Sequence, residues 1–199
     1  GEIPTGIEGG DILVLNRDTI IIGLSQRTSE AAIETVARRL LVEQNVLRRI
    51  IVLQIPARRA YMHLDTVFTM IDHDKFLMFP GIREHIKVYE LTAGRNNHVE
   101  ARMTDSLETA LSESLGVSGI EILFSGGDSI ITAAREQWGD STNAFALEPG
   151  VVVTYNRNEE TNRMLRNRGI DVIEVEGSEL VRGRGGPRCM TLPLLRDDI

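Results

Sequence analysis

The only cysteine of the chain, Cys189, stands in the stretch RGRGGPRCM at 182–190. Gly183, Gly185, Gly186 and Pro187 place it directly after a backbone bend, where a ligand can approach closely. A lone thiol has two readings: a small buried hydrophobe, or a nucleophile whose partners need be adjacent only in space. Arg184 and Arg188 nearby would favour the thiolate over the thiol. His63, in YMHLDTVF, is the candidate general acid/base, and Asp65, two residues on, shares its face in an extended chain. Glu8, in IEGGD, is followed by two glycines that keep bulk away from whatever its carboxylate contacts. Arg27, in SQRTS, ends a strand just before a helix cap. Each also has a plainer reading, as a polar residue satisfied at a strand entrance or a surface cation. His73, His85 and His98 lie in turn-like or polar surroundings and read as surface residues.

Taken together these residues supply a thiol, an imidazole, at least two carboxylates and one or two arginines. Carboxylates beside a catalytic cysteine raise its pKa and suppress the thiolate. Such a site makes sense for a cationic substrate whose charge offsets them. A guanidinium, planar and always protonated, matches bidentate carboxylates better than an ammonium does. Metal and phosphate chemistry are disfavoured, because no HxxxH or CxxC spacing occurs and SGGD at 125–128 lacks the lysine of a phosphate loop. No cofactor is implied.

These residues must be positioned by a repeated unit. ILVL at 12–15 and TIIIGL at 19–24 read as a hairpin about NRD. A helix capped by Thr28 or Ser29 follows, with Ile33, Val36, Ala37, Leu40 and Leu41 on one face, and then a buried strand at 50–55 closed by Pro56. The pattern returns at the other end of the chain: a hairpin about Pro149-Gly150, a helix from about Asn158 that stops at Gly169, and the strand IDVIEV. A third copy with an insertion lies between, with a hairpin at 66–79, a helix at 107–115 and the strand IEILF. The expected fold class is α/β, built of about three ββαβ modules at approximately 1–56, 57–124 and 141–199. Asp11, Asp65 and Asn143 each stand just before the first strand of a module. If the modules surround a common axis, the three meet there as a polar site.

Composition bounds the partners. Lys and Arg number 22 against 29 Asp and Glu, a formal charge of −7, so the chain lacks the footprint that nucleic-acid phosphates select for. RGRGGPR could be an RNA contact of the arginine-glycine type, but that charge and a 5% aromatic content make the reading remote. No run of eighteen apolar residues and no leader pattern is present, and no membrane partner is expected. A single cysteine cannot close an intrachain disulfide, which favours a reducing compartment, the cytoplasm by default.

The motifs IEGGD, RTS, MHLDTVF, STNAFAL and RGRGGPRCMTLPL, in this order and with this spacing, resemble arginine deiminase. The ending LPLLRDDI also looks like that family's C-terminus. The resemblance implies a pentein fold, an α/β propeller of ββαβ modules, here incomplete. It implies hydrolysis of L-arginine to L-citrulline and ammonia, with Cys189 attacking the guanidinium carbon and His63 as acid and then base. Asp65 would clamp the guanidinium, and Glu8 would do so too or orient His63. Arg27 would bind the substrate carboxylate, Gly183 and Arg184 would belong to a loop that closes over the site, and Asp11 and Asn143 would support it. Members of that family are about twice this length. A homo-oligomer, or association with the missing N-terminal portion, is therefore expected. Related penteins transfer the amidino group or hydrolyse methylated arginine or agmatine, and a non-catalytic half-propeller is the reading from another class.

Overall fold

The computed structural model describes residues 6–196. In chain order the strands are β1 (Ile12–Asn16), β2 (Thr19–Leu24), β3 (Arg49–Gln54), β4 (Phe68–Met70), β5 (Lys75–Met78), β6 (Lys87–Ala93), β7 (Val99–Thr104), β8 (Glu121–Phe124), β9 (Phe145–Glu148), β10 (Val151–Tyr155) and β11 (Asp171–Val175). The α-helices are α1 (Glu30–Ala37), α2 (Leu107–Leu115), α3 (Ile130–Gln137) and α4 (Glu159–Asn167). Among the described residues the chain divides into two compact units, 6–64 with 85–119 and 65–84 with 120–196.

The first unit is built on a five-stranded sheet in the order β1-β2-β3-β6-β7. β1 and β2 form the expected hairpin, and β3 returns parallel to β2 after α1. Helix α1 starts where Ser29 Oγ accepts the Ala32 N–H, and it continues as a π-helical segment at Arg38–Glu43. Ile20 and Ile22 alternate onto the same face as Ile50 and Val52. Ile33, Ala37 and Leu41, four residues apart, recur on one helical face and pack against them. Ile21, Ile51 and Leu53 on the opposite face are also fully buried, so the central strands read as continuous apolar runs. Truncating Ile22 or Ile50 to alanine would cost about 2–5 kcal/mol.

The second unit holds two three-stranded sheets, β4-β5-β8 and β11-β10-β9. In each, a hairpin is followed by a parallel third strand, β8 against β5 and β11 against β10. One cluster, with Ile71, Leu77, Leu123, Val152, Leu165 and Ile170, serves both sheets. The N-terminus of α4 is capped from another helix: the buried Glu136 carboxylate accepts the N–H groups of Glu160 and Thr161 and the Thr161 hydroxyl. Asn158 Nδ2 donates to the Gly139 carbonyl at 2.9 Å, which ties the loop after α3 to the start of α4.

The two compact units divide the chain differently from the three expected modules. The helix at 107–115 forms, but it does not stand with the hairpin and strand of the middle copy. β6 pairs antiparallel with β3 and β7 with β6, so the insertion extends the first sheet and carries α2 with it. Asn16 Nδ2 donates to the Ser114 carbonyl and Arg49 reaches Glu113, both contacts inside the first unit. Residues 57–64 and 85–119 therefore lie in the first compact unit, and 65–84 with 120–124 in the second. Residues 1–5 of the first module and 197–199 of the third, including the end of LPLLRDDI, lie outside the described residues.

Candidate functional site

The expected residues form two groups, one in each unit. In the first, His63 Nε2 and Glu8 Oε2 share a short hydrogen bond, and Arg27 Nη1 stands 3.5 Å from the other Glu8 oxygen. The glycines after Glu8 have a visible purpose at Gly10, where a Cβ would lie 2.9 Å from the His63 ring. Arg27 and Glu8 keep about half of their side-chain surface in solvent, 53% and 43%, so their pairing is weak and open to exchange with a ligand.

Asp11 is fully buried and accepts three hydrogen bonds, from Ser25 Oγ at 2.7 Å, Thr28 Oγ1 at 2.6 Å and the Leu64 N–H at 2.7 Å. Burial pushes its carboxyl above the usual range, against the opposing effect of those donors and of His63. Its geometry is that of a brace, fixing the backbone immediately after His63. Thr28, one of the two expected helix caps, is spent on this brace, and Ser29 is the cap.

The second group centres on Asp65, fully buried in a short 3-10 turn just before β4. Its Oδ2 accepts from Arg188 Nη1 at 2.8 Å and from the Cys189 thiol at 3.6 Å. Its Oδ1 is buried and has no hydrogen-bond partner. Asn143, also fully buried, links both sides: Nδ2 donates to the Asp65 carbonyl at 3.2 Å, and Oδ1 accepts the Cys189 N–H at 2.9 Å. The Asn143 carbonyl accepts the Arg188 N–H at 3.4 Å. This approach is possible because residue 186 is glycine, for a Cβ there would meet Asn143 atoms at 2.6–2.9 Å. The expected meeting of polar residues before the strands is thus observed for Asp65 with Asn143, while Asp11 braces Leu64 in the first unit.

Cys189 keeps solvent-exposed surface, which removes the buried-hydrophobe reading. Its thiol is nevertheless pushed up to about 12, first by partial withdrawal from water and then by Asp65 and Asp140, against the Gly186 and Asn143 hydrogen bonds. The expectation that Arg184 and Arg188 favour the thiolate is therefore overturned. Arg188 is bound to Asp65 and Arg184 faces Asp140, so neither cation acts on the sulfur uncompensated. Gly183 ends a 3-10 turn at Leu180–Gly183 and is exposed. Arg184 follows with φ 65°, its guanidinium over the Trp138 ring at 4.6 Å from the centroid.

Asp140, Trp138 and Tyr155 were not singled out from the sequence. Asp140 lies three residues before Asn143 in WGDSTN, and its proximity to that motif was the available signal. Its left-handed φ of 54° and its burial are invisible in the sequence. Among the described residues no three His, Cys, Asp or Glu side chains converge as metal ligands, and no helix is long and apolar enough to cross a membrane.

Known proteins match the chain along its whole length. A family model described as arginine deiminase matches residues 2–196. The arginine deiminase of Bacillus cereus is 50% identical over 197 residues, covering 97% of this chain and 48% of the relative. That of Streptococcus agalactiae is 44% identical over 199 residues, covering 100% of this chain and 48% of the relative. The chain spans about half the length of these curated relatives. Among solved structures, SxtG, an amidinotransferase from Microseira wollei, superposes with a TM-score of 0.66 at 18% identity, over 96% of this chain and 48% of its own. A mutant of AgrE in a binary complex with L-arginine gives 0.63 at 18% identity, over 98% of this chain and 24% of its own. These likenesses concern the fold, the pentein arrangement of ββαβ modules seen in both units. With the ordered motifs from Glu8 to Cys189 and a family match over nearly every residue, the chain belongs to the arginine deiminase family.

Proposed function

We propose that this chain contributes the nucleophile and acid/base half of an enzyme that hydrolyses L-arginine to L-citrulline and ammonia. One observation carries the reading: Asp65 has a buried carboxylate oxygen without a partner, on the same group whose other oxygen holds the Cys189 thiol. A planar cation donating to Asp65 Oδ1 would bring its central carbon towards Sγ. Its positive charge would also offset Asp65 and Asp140, two of the causes that keep the thiol protonated. The thiol is held mostly protonated at rest, and an arriving guanidinium would raise its thiolate fraction.

In this scheme the thiol releases its proton to solvent as the guanidinium docks, and the sulfur adds to the guanidinium carbon to form a tetrahedral adduct. His63, as imidazolium beside Glu8, gives its proton to one terminal nitrogen, the C–N bond to that nitrogen breaks, and ammonia leaves behind a thiouronium. His63 then takes a proton from water as the water oxygen bonds to the same carbon. Cleavage of the C–S bond gives citrulline and returns the cysteine. Only Leu64 separates His63 from Asp65 in the chain, and covalent geometry keeps their Cα atoms within about 7 Å. Arg27 is the proposed partner of the substrate α-carboxylate, and Gly183 with Arg184 the proposed closing segment. Asp11 and Asn143 support the site through the backbone.

Because the chain spans about half of its relatives, we propose that turnover requires association with an N-terminal portion or a second copy. The lone cysteine supports a reducing, cytoplasmic setting. The test is citrulline release from arginine by the chain alone and with the N-terminal portion of a relative added, with agmatine and dimethylarginine in parallel. Cys189→Ser and His63→Ala should each abolish release. Near wild-type turnover in Cys189→Ser would remove the nucleophile, and a change in substrate affinity alone in His63→Ala would remove the acid/base role.

A further inference from the structure

Asp140 stands outside the residues named so far as reacting groups, yet it meets the Cys189 segment at its hinge. Its Oδ2 accepts the Gly185 N–H at 3.0 Å. The Gly185 carbonyl accepts the Tyr155 hydroxyl at 2.9 Å, so both backbone groups of this residue are held by side chains from elsewhere in the unit. Asp140 Oδ1 faces Arg184 Nη2 at 3.9 Å without a hydrogen bond, and Arg184 Nε and Nη2 are buried and unpartnered among the described residues. The guanidinium rests instead on Trp138. Two buried charges that stop short of bonding are a poor permanent structural pair, since neither recovers its lost hydration. Both residues also sit at positive φ, 54° for Asp140 and 65° for Arg184, a local strain that the surrounding contacts must sustain. The seat itself is fixed, because Asn158 holds the neighbouring Gly139 carbonyl.

We propose that Asp140 is a positioning residue that latches the segment 184–188, with Tyr155 as its second strap and the Arg184–Trp138 stack as the seat, so that Cys189 rests against Asp65 until the latch opens. The groups facing Asp140 are Arg184, Asp65, Tyr155 and Cys189. The inference rests on the reading of Cys189 as the reactive group. Its test does not use turnover, so it stands or falls separately from the arginine reaction.

Two readouts address it in the intact chain. Trp138 is the only tryptophan, so its fluorescence and quenching by acrylamide report whether Arg184 is seated. Thiol exchange of Cys189 with an aromatic disulfide reports release of the segment most directly in Tyr155→Phe, which leaves every charge in place, whereas the Asp140 variants also lose a charge that holds the thiol protonated. Arg184→Ala should uncover Trp138, and Asp140→Ala should reproduce that increase in quenching while accelerating exchange about tenfold. Asp140→Asn keeps an oxygen for the Gly185 N–H but loses the charge, and should accelerate exchange only about threefold. Tyr155→Phe removes one strap with little change in packing and should give about a twofold rise. If Asp140→Ala does not fold, the Asn and Phe variants decide. Wild-type exchange rates in both would overturn the latch, as would Trp138 quenching that responds to Arg184→Ala but to neither Asp140 substitution.

Discussion

Replacing Asp65 by Asn tests the electrostatic logic of the site. Two like charges 3.6 Å apart, the Asp65 carboxylate and a Cys189 thiolate, would repel by about 4.6 kcal/mol at an effective dielectric of 20. Arg188, 2.8 Å from the same carboxylate oxygen, and the exposure of Cys189 cancel most of this, leaving about 1–2 pH units of effect. The larger cause, withdrawal of the thiol from water, remains in the variant. The thiol should therefore fall from about 12 but stay above its ordinary 9.0. At pH 8 the thiolate fraction rises about 10- to 100-fold, but a less basic thiolate is also a weaker nucleophile, by a factor of about 3 per unit. Exchange with an aromatic disulfide at pH 7–9 should then accelerate by about 3- to 11-fold, with log rate rising linearly with pH throughout. An unchanged or slower rate would refute the role of Asp65, and a plateau at or below pH 9.0 would refute the part assigned to burial.

Asp11→Ala orphans the Ser25 and Thr28 hydroxyls and the Leu64 N–H, and should cost about 3–5 kcal/mol, read as a lower urea midpoint; Asp11→Asn keeps an acceptor and should cost less than half of that. Gly186→Ala drives a Cβ into Asn143, so it should destabilise the chain by about 1–3 kcal/mol in thermal unfolding, with Cys189 exchanging faster than in wild type. The raised Cys189 pKa gives a signed pH effect. Its contribution to stability is fully present below 9.0, the ordinary value, and is lost as pH rises through about 12, because the unfolded thiol ionises first. Alkaline unfolding should accordingly be shallower for Cys189→Ala than for wild type over that interval, and a parallel profile would contradict the shift.

The elements legible in the sequence are those whose signals are local. The β1–β2 hairpin, the helix after Ser29 and the stop at Gly169, which adopts φ 79°, follow from turn chemistry, capping and periodicity within a dozen residues. The insertion reads without strands because β7, VEARMT, is almost wholly exposed and shows no alternation. Helix α3 hid for a different reason: Ile130 and Ile131 at its start are 84% and 83% exposed, which breaks the apolar face that would announce it. At the site, the motifs around Glu8, His63, Asp65, Asn143 and Cys189 marked polar residues that the structure gathers into the two groups. Their charge balance was not legible, since it depends on which carboxylate each arginine meets, and Arg188 meets Asp65 across 123 residues of chain.

Asn143 grips residue 189 by its backbone N–H, so the position of the proposed nucleophile is set without reference to its side chain. The chemistry of the site and its shape can thus be varied separately. An inert residue at 189 should leave the Asp65 carboxylate where it is, still short of one donor, and so turn a consuming site into a holding one. Under the proposed arginine reading, such a chain should bind guanidinium compounds without turning them over, and calorimetry would measure it.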